Sequence, residues 1–191
     1  GGSVSASGGA VMKLHRDDSS IADGNDIGQI EFTGADPSSV HSGAMIRGEA
    51  AGTWTADNEN KPTELQFFTQ DAGDGDAMSS PNMVIDKDGN VGIGTATPAH
   101  PTDILGTNAT VGSGSSQLAV FSSSAYNTAN TGGSIGFQGK KNSGGDYSEN
   151  AWIGGLKENT TDGNDAGYLA FGTRTNGGAV AERMRIDSAG D

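Results

Sequence analysis

Ile27-Gly28-Gln29-Ile30-Glu31-Phe32 returns further along the chain as Gly132-Gly133-Ser134-Ile135-Gly136-Phe137, and this recurrence decides how the rest is read. In both stretches a large apolar residue alternates with a polar residue or glycine, the period of two expected of a half-buried strand. The recurrence continues outward in the same order. Ala44-Met45-Ile46-Arg47-Gly48 returns as Ala151-Trp152-Ile153-Gly154-Gly155, and Leu65-Gln66-Phe67-Phe68-Thr69 as Leu169-Ala170-Phe171-Gly172-Thr173. Met83-Val84-Ile85-Asp86 matches Met184-Arg185-Ile186-Asp187, and upstream Val11-Met12-Lys13-Leu14 has a counterpart in Leu118-Ala119-Val120-Phe121. Five segments in one order, at a nearly constant offset, read as a duplication whose drift falls in glycine-rich loops that tolerate insertion.

The expected organisation is a Gly/Ser-rich lead-in at 1–9, a first β module at 10–90, a connector containing Gly and Pro at 91–116, and a duplicate module at 117–191. No helix of useful length is expected. Loops such as Asp71-Ala72-Gly73-Asp74-Gly75-Asp76 and Asn142-Ser143-Gly144-Gly145-Asp146 have the composition of turns between antiparallel strands.

Composition sharpens this reading. The 191 residues include 32 Gly and no Cys, with 32% hydrophobic and 6% aromatic content, too few large side chains for an ordinary globular core. Ordered apolar runs argue against disorder, so burial is expected to come from neighbouring copies of the chain. A two-domain β-sandwich monomer is the competing architecture. The net charge of −13 opposes an electrostatic grip on nucleic acid or on an anionic membrane surface. The charge is uneven: residues 1–105 carry 16 acids and 5 bases, residues 106–191 carry 8 and 6. No stretch approaches the roughly 18 apolar residues of a membrane span, and no signal-peptide pattern opens the chain. With no disulfides available, extracellular stability would have to come from oligomerisation.

The first module closes on Met83-Val84-Ile85-Asp86-Lys87-Asp88-Gly89-Asn90-Val91-Gly92-Ile93-Gly94-Thr95-Ala96-Thr97-Pro98. The second closes on Glu182-Arg183-Met184-Arg185-Ile186-Asp187-Ser188-Ala189-Gly190-Asp191. Joined, they resemble the signature E-R-M-R-I-D-x-x-G-N-V-G-I-G-T-x-x-P of phage tail fibres and related trimeric fibres, which often precedes a C-terminal intramolecular chaperone that cleaves itself off. Only the pair together reproduces the signature, because Ser80-Pro81-Asn82 stands where the second copy has Glu182-Arg183. The resemblance implies a homotrimeric, all-β fibre of repeated antiparallel modules, extracellular on a virion tail. Its implied role is to space or display a host-recognition site, with itself, neighbouring fibre or tail proteins and host surface glycan as partners. It also implies that further modules, a receptor-binding tip or a chaperone follow Asp191. A polysaccharide-degrading tail spike and a trimeric bacterial surface adhesin or filament are the alternatives.

In the motif itself, Asp86 to Asn90 reads as a polar turn, after which Val91 and Ile93 face one side and Gly92 and Gly94 the other. Glycines on a strand face permit another backbone to approach, so Val91, Gly92, Ile93 and Gly94 are the expected trimer-axis residues. Pro98 and Pro101 then mark a change of direction.

Chemical motifs are sparse. Gly132-Gly133-Ser134-Ile135-Gly136 fits the G-x-S-x-G pattern but lacks the strand-to-helix turn a nucleophile needs. Gly92-Ile93-Gly94 begins a dinucleotide fingerprint that fails at Thr97 and Pro98. Asp71, Asp74 and Asp76 offer the oxygen ligands calcium prefers without EF-hand spacing, and the alternative reading is solvated turn residues. His15, His41 and His100 share no metal spacing. Trp152 falls at an apolar strand position, whereas Trp54 sits between threonines. The expectation is a protein that is not an enzyme and needs no cofactor; calcium is the metal reading the sequence offers, with Asp71, Asp74 and Asp76 a better site than Asp86, Asp88 and Asn90.

Overall fold

The computed structural model describes residues 11–56, 60–71, 78–106, 118–123 and 127–191. Among the described residues there is no helix; the regular structure is ten strands in two sheets. The chain divides into two units, residues 1–117 and 118–191.

The first unit holds one six-stranded sheet in chain order: β1 (Asp26–Ala35), β2 (Val40–Ala50), β3 (Thr63–Thr69), β4 (Met83–Ile85), β5 (Val91–Ile93) and β6 (Thr102–Ile104). Neighbours are antiparallel except β5 and β6, which run parallel. Such a meander is what short apolar runs separated by turn-forming residues produce. The end of the sheet is tied down locally. Trp54 donates through its backbone N–H to Ile21 O (3.0 Å) and through Nε1 to Pro62 O (3.1 Å), which gives the indole N–H the partner it needs when partly buried.

Residues 91–106, expected in a connector, instead extend the first sheet as β5 and β6. The reason lies in the turn before them. Asp86 Oδ1 accepts hydrogen bonds from the N–H groups of Asp88 (2.9 Å) and Asn90 (2.8 Å), and Gly89 supplies the left-handed backbone, φ 84°, that closes the reversal. The chain therefore folds straight back, and Val91–Ile93 pairs with Met83–Ile85. Pro98 and Pro101 lie in the link that brings β6 alongside.

The second unit holds a four-stranded antiparallel sheet: β7 (Gly132–Lys140), β8 (Tyr147–Lys157), β9 (Gly167–Arg174) and β10 (Val180–Ile186). Its registers repeat those of the first. Ile30 pairs with Ile46 and Ile46 with Phe67, as Ile135 pairs with Ile153 and Ile153 with Phe171. The register shift between Phe32 and Thr33 recurs between Phe137 and Gln138. The aspartate turn recurs as well, with Asp187 Oδ1 accepting from Ala189 N (2.9 Å) and Asp191 N (3.1 Å) and Gly190 at φ 92°.

Among the described residues neither unit is a sandwich, since each contains a single sheet. Few apolar residues are buried; Ile21 and Ala50 lie at one end of the first unit, and the others are Met45, Phe68 and Val84 in the first unit and Tyr168 and Ala170 in the second. By register those five strand residues lie on the same side of their sheets, opposite the Ile30 and Ile135 side.

Candidate functional site

Because directly paired residues share a face, the registers define what each sheet presents. In the first unit one rung runs Ile30, Ile46, Phe67, Met83, Ile93, Ile104 across all six strands. The next is Gly28, Gly48, Leu65, Ile85, Val91, Thr102, and on the other side stand Phe32, Ala44 and Thr69. In the second unit the matching rungs are Ile135, Ile153, Phe171, Met184; then Gly133, Gly155, Leu169, Ile186; then Phe137, Ala151, Thr173. These rungs carry no charged side chain. Yet Phe32 is 56% exposed, Ile93 43%, Ile135 47%, Phe137 55% and Met184 53%. A contiguous exposed apolar patch of this kind marks a binding surface.

The opposite faces combine the buried apolar residues with charged side chains that pair within the sheet. Arg47 Nη2 meets Glu49 at 2.7 Å, its Nε donates to Gln66 Oε1 at 2.8 Å, and its guanidinium lies 4.8 Å from the centre of the Phe68 ring. In the second unit Arg185 pairs with Glu182 at 2.7 Å and lies 4.0 Å over the Tyr168 ring. The hydrogen bond and charge of Arg185 hold the Glu182 carboxyl below its ordinary range. Trp152 is on this face too. A Cβ at Gly172 would lie 2.2 Å from Trp152 Nε1, so the indole lies flat across a glycine.

Each apolar face is crossed at one point by the chain's own lead-in. A Cβ at Gly28 would meet Leu14 Cβ at 2.9 Å, and one at Gly133 would meet the Val120 carbonyl oxygen at 1.7 Å. The two glycines are equivalent in register, and so are the roles of the two lead-ins.

Of the expected axis residues, Val91 and Ile93 belong to the apolar rungs. Gly92 is buried on the opposite face, where a Cβ would meet Thr95 O at 2.5 Å; at Gly94 it would meet Leu105 O at 2.0 Å. The room these glycines leave is filled by this chain's own backbone. Of the proposed calcium ligands, Asp74 and Asp76 lie outside the described residues and Asp71 is exposed just beyond β3; among the described residues no three acids or histidines converge on a metal position. Ser134 is an exposed strand residue in β7 opposite Gly154. His41 and His100 stand beside Asp36 (3.2 Å) and Asp103 (2.9 Å).

One feature escaped the sequence reading. At the hairpin end of the second sheet a cleft of about 640 Å³ is lined by Lys140, Lys141, Ser148, Asn150, Arg174 and the Thr175–Gly178 turn. The available signal was Lys140-Lys141, the one adjacent pair of basic residues in an acidic chain. Arg174 joins them only through the fold.

No protein-family model matches the chain, and no curated protein sequence matches it. The solved structures similar to this chain include two of one tail fibre. The carboxy-terminal domain of the bacteriophage T5 L-shaped tail fibre aligns at 15% identity and TM-score 0.41, covering 100% of this chain and 88% of that one. The same domain with its intra-molecular chaperone domain aligns at 14% identity and TM-score 0.40, covering 99% of this chain and 60% of that one.

Proposed function

We propose that this chain is a structural and adhesive segment of a phage-tail-fibre-like homotrimer, in which three copies run parallel and turn the apolar rungs of both units inward. The observation that carries the reading is the repetition of an uncharged, exposed apolar face at equivalent registers in two units of a chain with net charge −13. A parallel cyclic arrangement sets each rung against its own copies. Closed assembly would also protect the strand edges that a single-layer sheet leaves open. The choice of three copies rests on the resemblance of residues 83–98 and 182–191 to the trimeric-fibre signature. The duplication then serves length: repeated modules stacked along an axis space a recognition surface away from an extracellular virion tail. No catalytic step enters this role.

The chain has no cysteine, so an introduced thiol is unique. Ile30→Cys and Ile135→Cys, on the apolar rungs, should react with a hydrophilic maleimide at least tenfold more slowly than Ser134→Cys on the opposite face. Urea should abolish the difference. Equal native rates at the three positions would contradict the reading, because Ile30 and Ile135 are 37% and 47% exposed in the lone chain.

A further inference from the structure

We propose that the cleft at the hairpin end of the second unit binds an acidic saccharide, one bearing carboxylate or phosphate groups. The inference rests on the adhesive half of the reading above and is independent of the trimer.

The cleft gathers three of the chain's 11 basic residues, Lys140, Lys141 and Arg174, and no carboxylate lines it, although acids outnumber bases 24 to 11. None of the three forms an ion pair with an acid among the described residues. Arg174 is held in place by neutral acceptors: its Nε donates to Glu149 O at 2.7 Å and its Nη1 to Gly178 O at 3.3 Å. A guanidinium oriented by carbonyls keeps its full charge for an outside anion. The neighbouring acids are turned to other tasks. Asp146 Oδ2 accepts from Asn142 Nδ2 at 2.8 Å, and a Cβ at Gly136 would lie 2.7 Å from Glu149 Oε1, placing that carboxylate along the strand rather than in the cleft.

The rest of the lining supplies hydroxyl and amide groups from Ser148, Asn150, Thr175 and Asn176. Cations for an acidic group, set among such donors and acceptors, match the chemistry of a charged sugar. No aromatic ring lines the cleft for base stacking, which disfavours single-stranded nucleic acid.

The first unit provides an internal comparison. By register, the positions of Lys140, Lys141, Ser148, Asn150 and Arg174 correspond to Ala35, Asp36, His41, Gly43 and Gln70. The scaffold is the same, bulge included, but its rim there is neutral and acidic. Folding alone therefore does not demand the cations.

The test is calorimetric titration of the full chain at low ionic strength with trigalacturonate, maltotriose, inorganic phosphate and an oligothymidylate, with the native mass measured on the same sample. Trigalacturonate should bind, with affinity falling as salt is added, and maltotriose should not. Lys141→Gln combined with Arg174→Gln should weaken trigalacturonate at least tenfold without altering the mass. Absence of trigalacturonate binding, an unaffected double variant, or phosphate or oligothymidylate binding as tightly as trigalacturonate would each overturn the proposal. A trimeric mass without binding removes the cleft alone; binding by a monomer removes the trimer alone.

Discussion

At the scale of single residues, glycine does two different jobs in this chain, and only the structure separates them. Gly172 makes room for Trp152, whereas Gly34, also in a strand, has nothing within 4 Å of its missing side chain. Gly172→Ala should therefore destabilise the protein by about 1–3 kcal/mol, the usual effect of overpacking, and should shift the Trp152 emission. Gly34→Ala should be neutral or slightly stabilising. Urea unfolding at fixed chain concentration, in a Trp54→Phe background, checks both; equal effects would mean that the indole does not lie across Gly172. Period-two patterning shows that a glycine occupies a strand. It does not show whose atoms fill the space, which is why Gly92 and Gly94 read as openings for another chain while Thr95 and Leu105 of the same chain stand there.

At the scale of elements, the aspartate turn after β4 and its counterpart after β10 have the same construction, and they make stability depend on pH. At Asp86 partial desolvation pushes the carboxyl up, but hydrogen bonds from Asn90 and Asp88 outweigh it and leave the group below its ordinary value. At Asp187 the N–H groups of Asp191 and Ala189 lower it. A carboxyl depressed in the folded state contributes stability above its unfolded pKa of about 3.9, and that stability is lost as pH falls through the lower folded value. Asp86→Asn with Asp187→Asn should thus be less stable than the parent at pH 7, with a gap that closes below about pH 4. Thermal melts across that range check it, and a gap independent of pH would contradict the account. Much at this level was legible from the sequence: strand positions follow from alternation at Ile30, Phe32, Leu169 and Phe171, and the turn from Asp86 to Asn90. The place of β5 and β6 was not, because Gly and Pro at 92–101 resemble a linker until the tight reversal at Gly89 folds residues 91–93 back onto β4.

At the scale of the whole molecule, two single-layer sheets with bare apolar rungs are a poor solution for an isolated chain. Burying such rungs stabilises by roughly 25 cal/mol per Å² of apolar area; among the described residues, those around Leu14 and Val120 reach onto them at Gly28 and Gly133. The apolar face was legible in the recurrence itself, since Ile30 and Ile135, Ile46 and Ile153, and Phe67 and Phe171 are the residues that made the duplication visible. The basic cleft was not, because Lys140, Lys141 and Arg174 are brought together by the pairing of β7, β8 and β9 rather than by proximity in the chain. Native mass in solution, measured by light scattering at micromolar concentration, separates a trimer from a lone chain. The proposed parallel trimer should have three times the 19.2 kDa of one chain. A particle of 19.2 kDa, with its apolar rungs open to water, would contradict it.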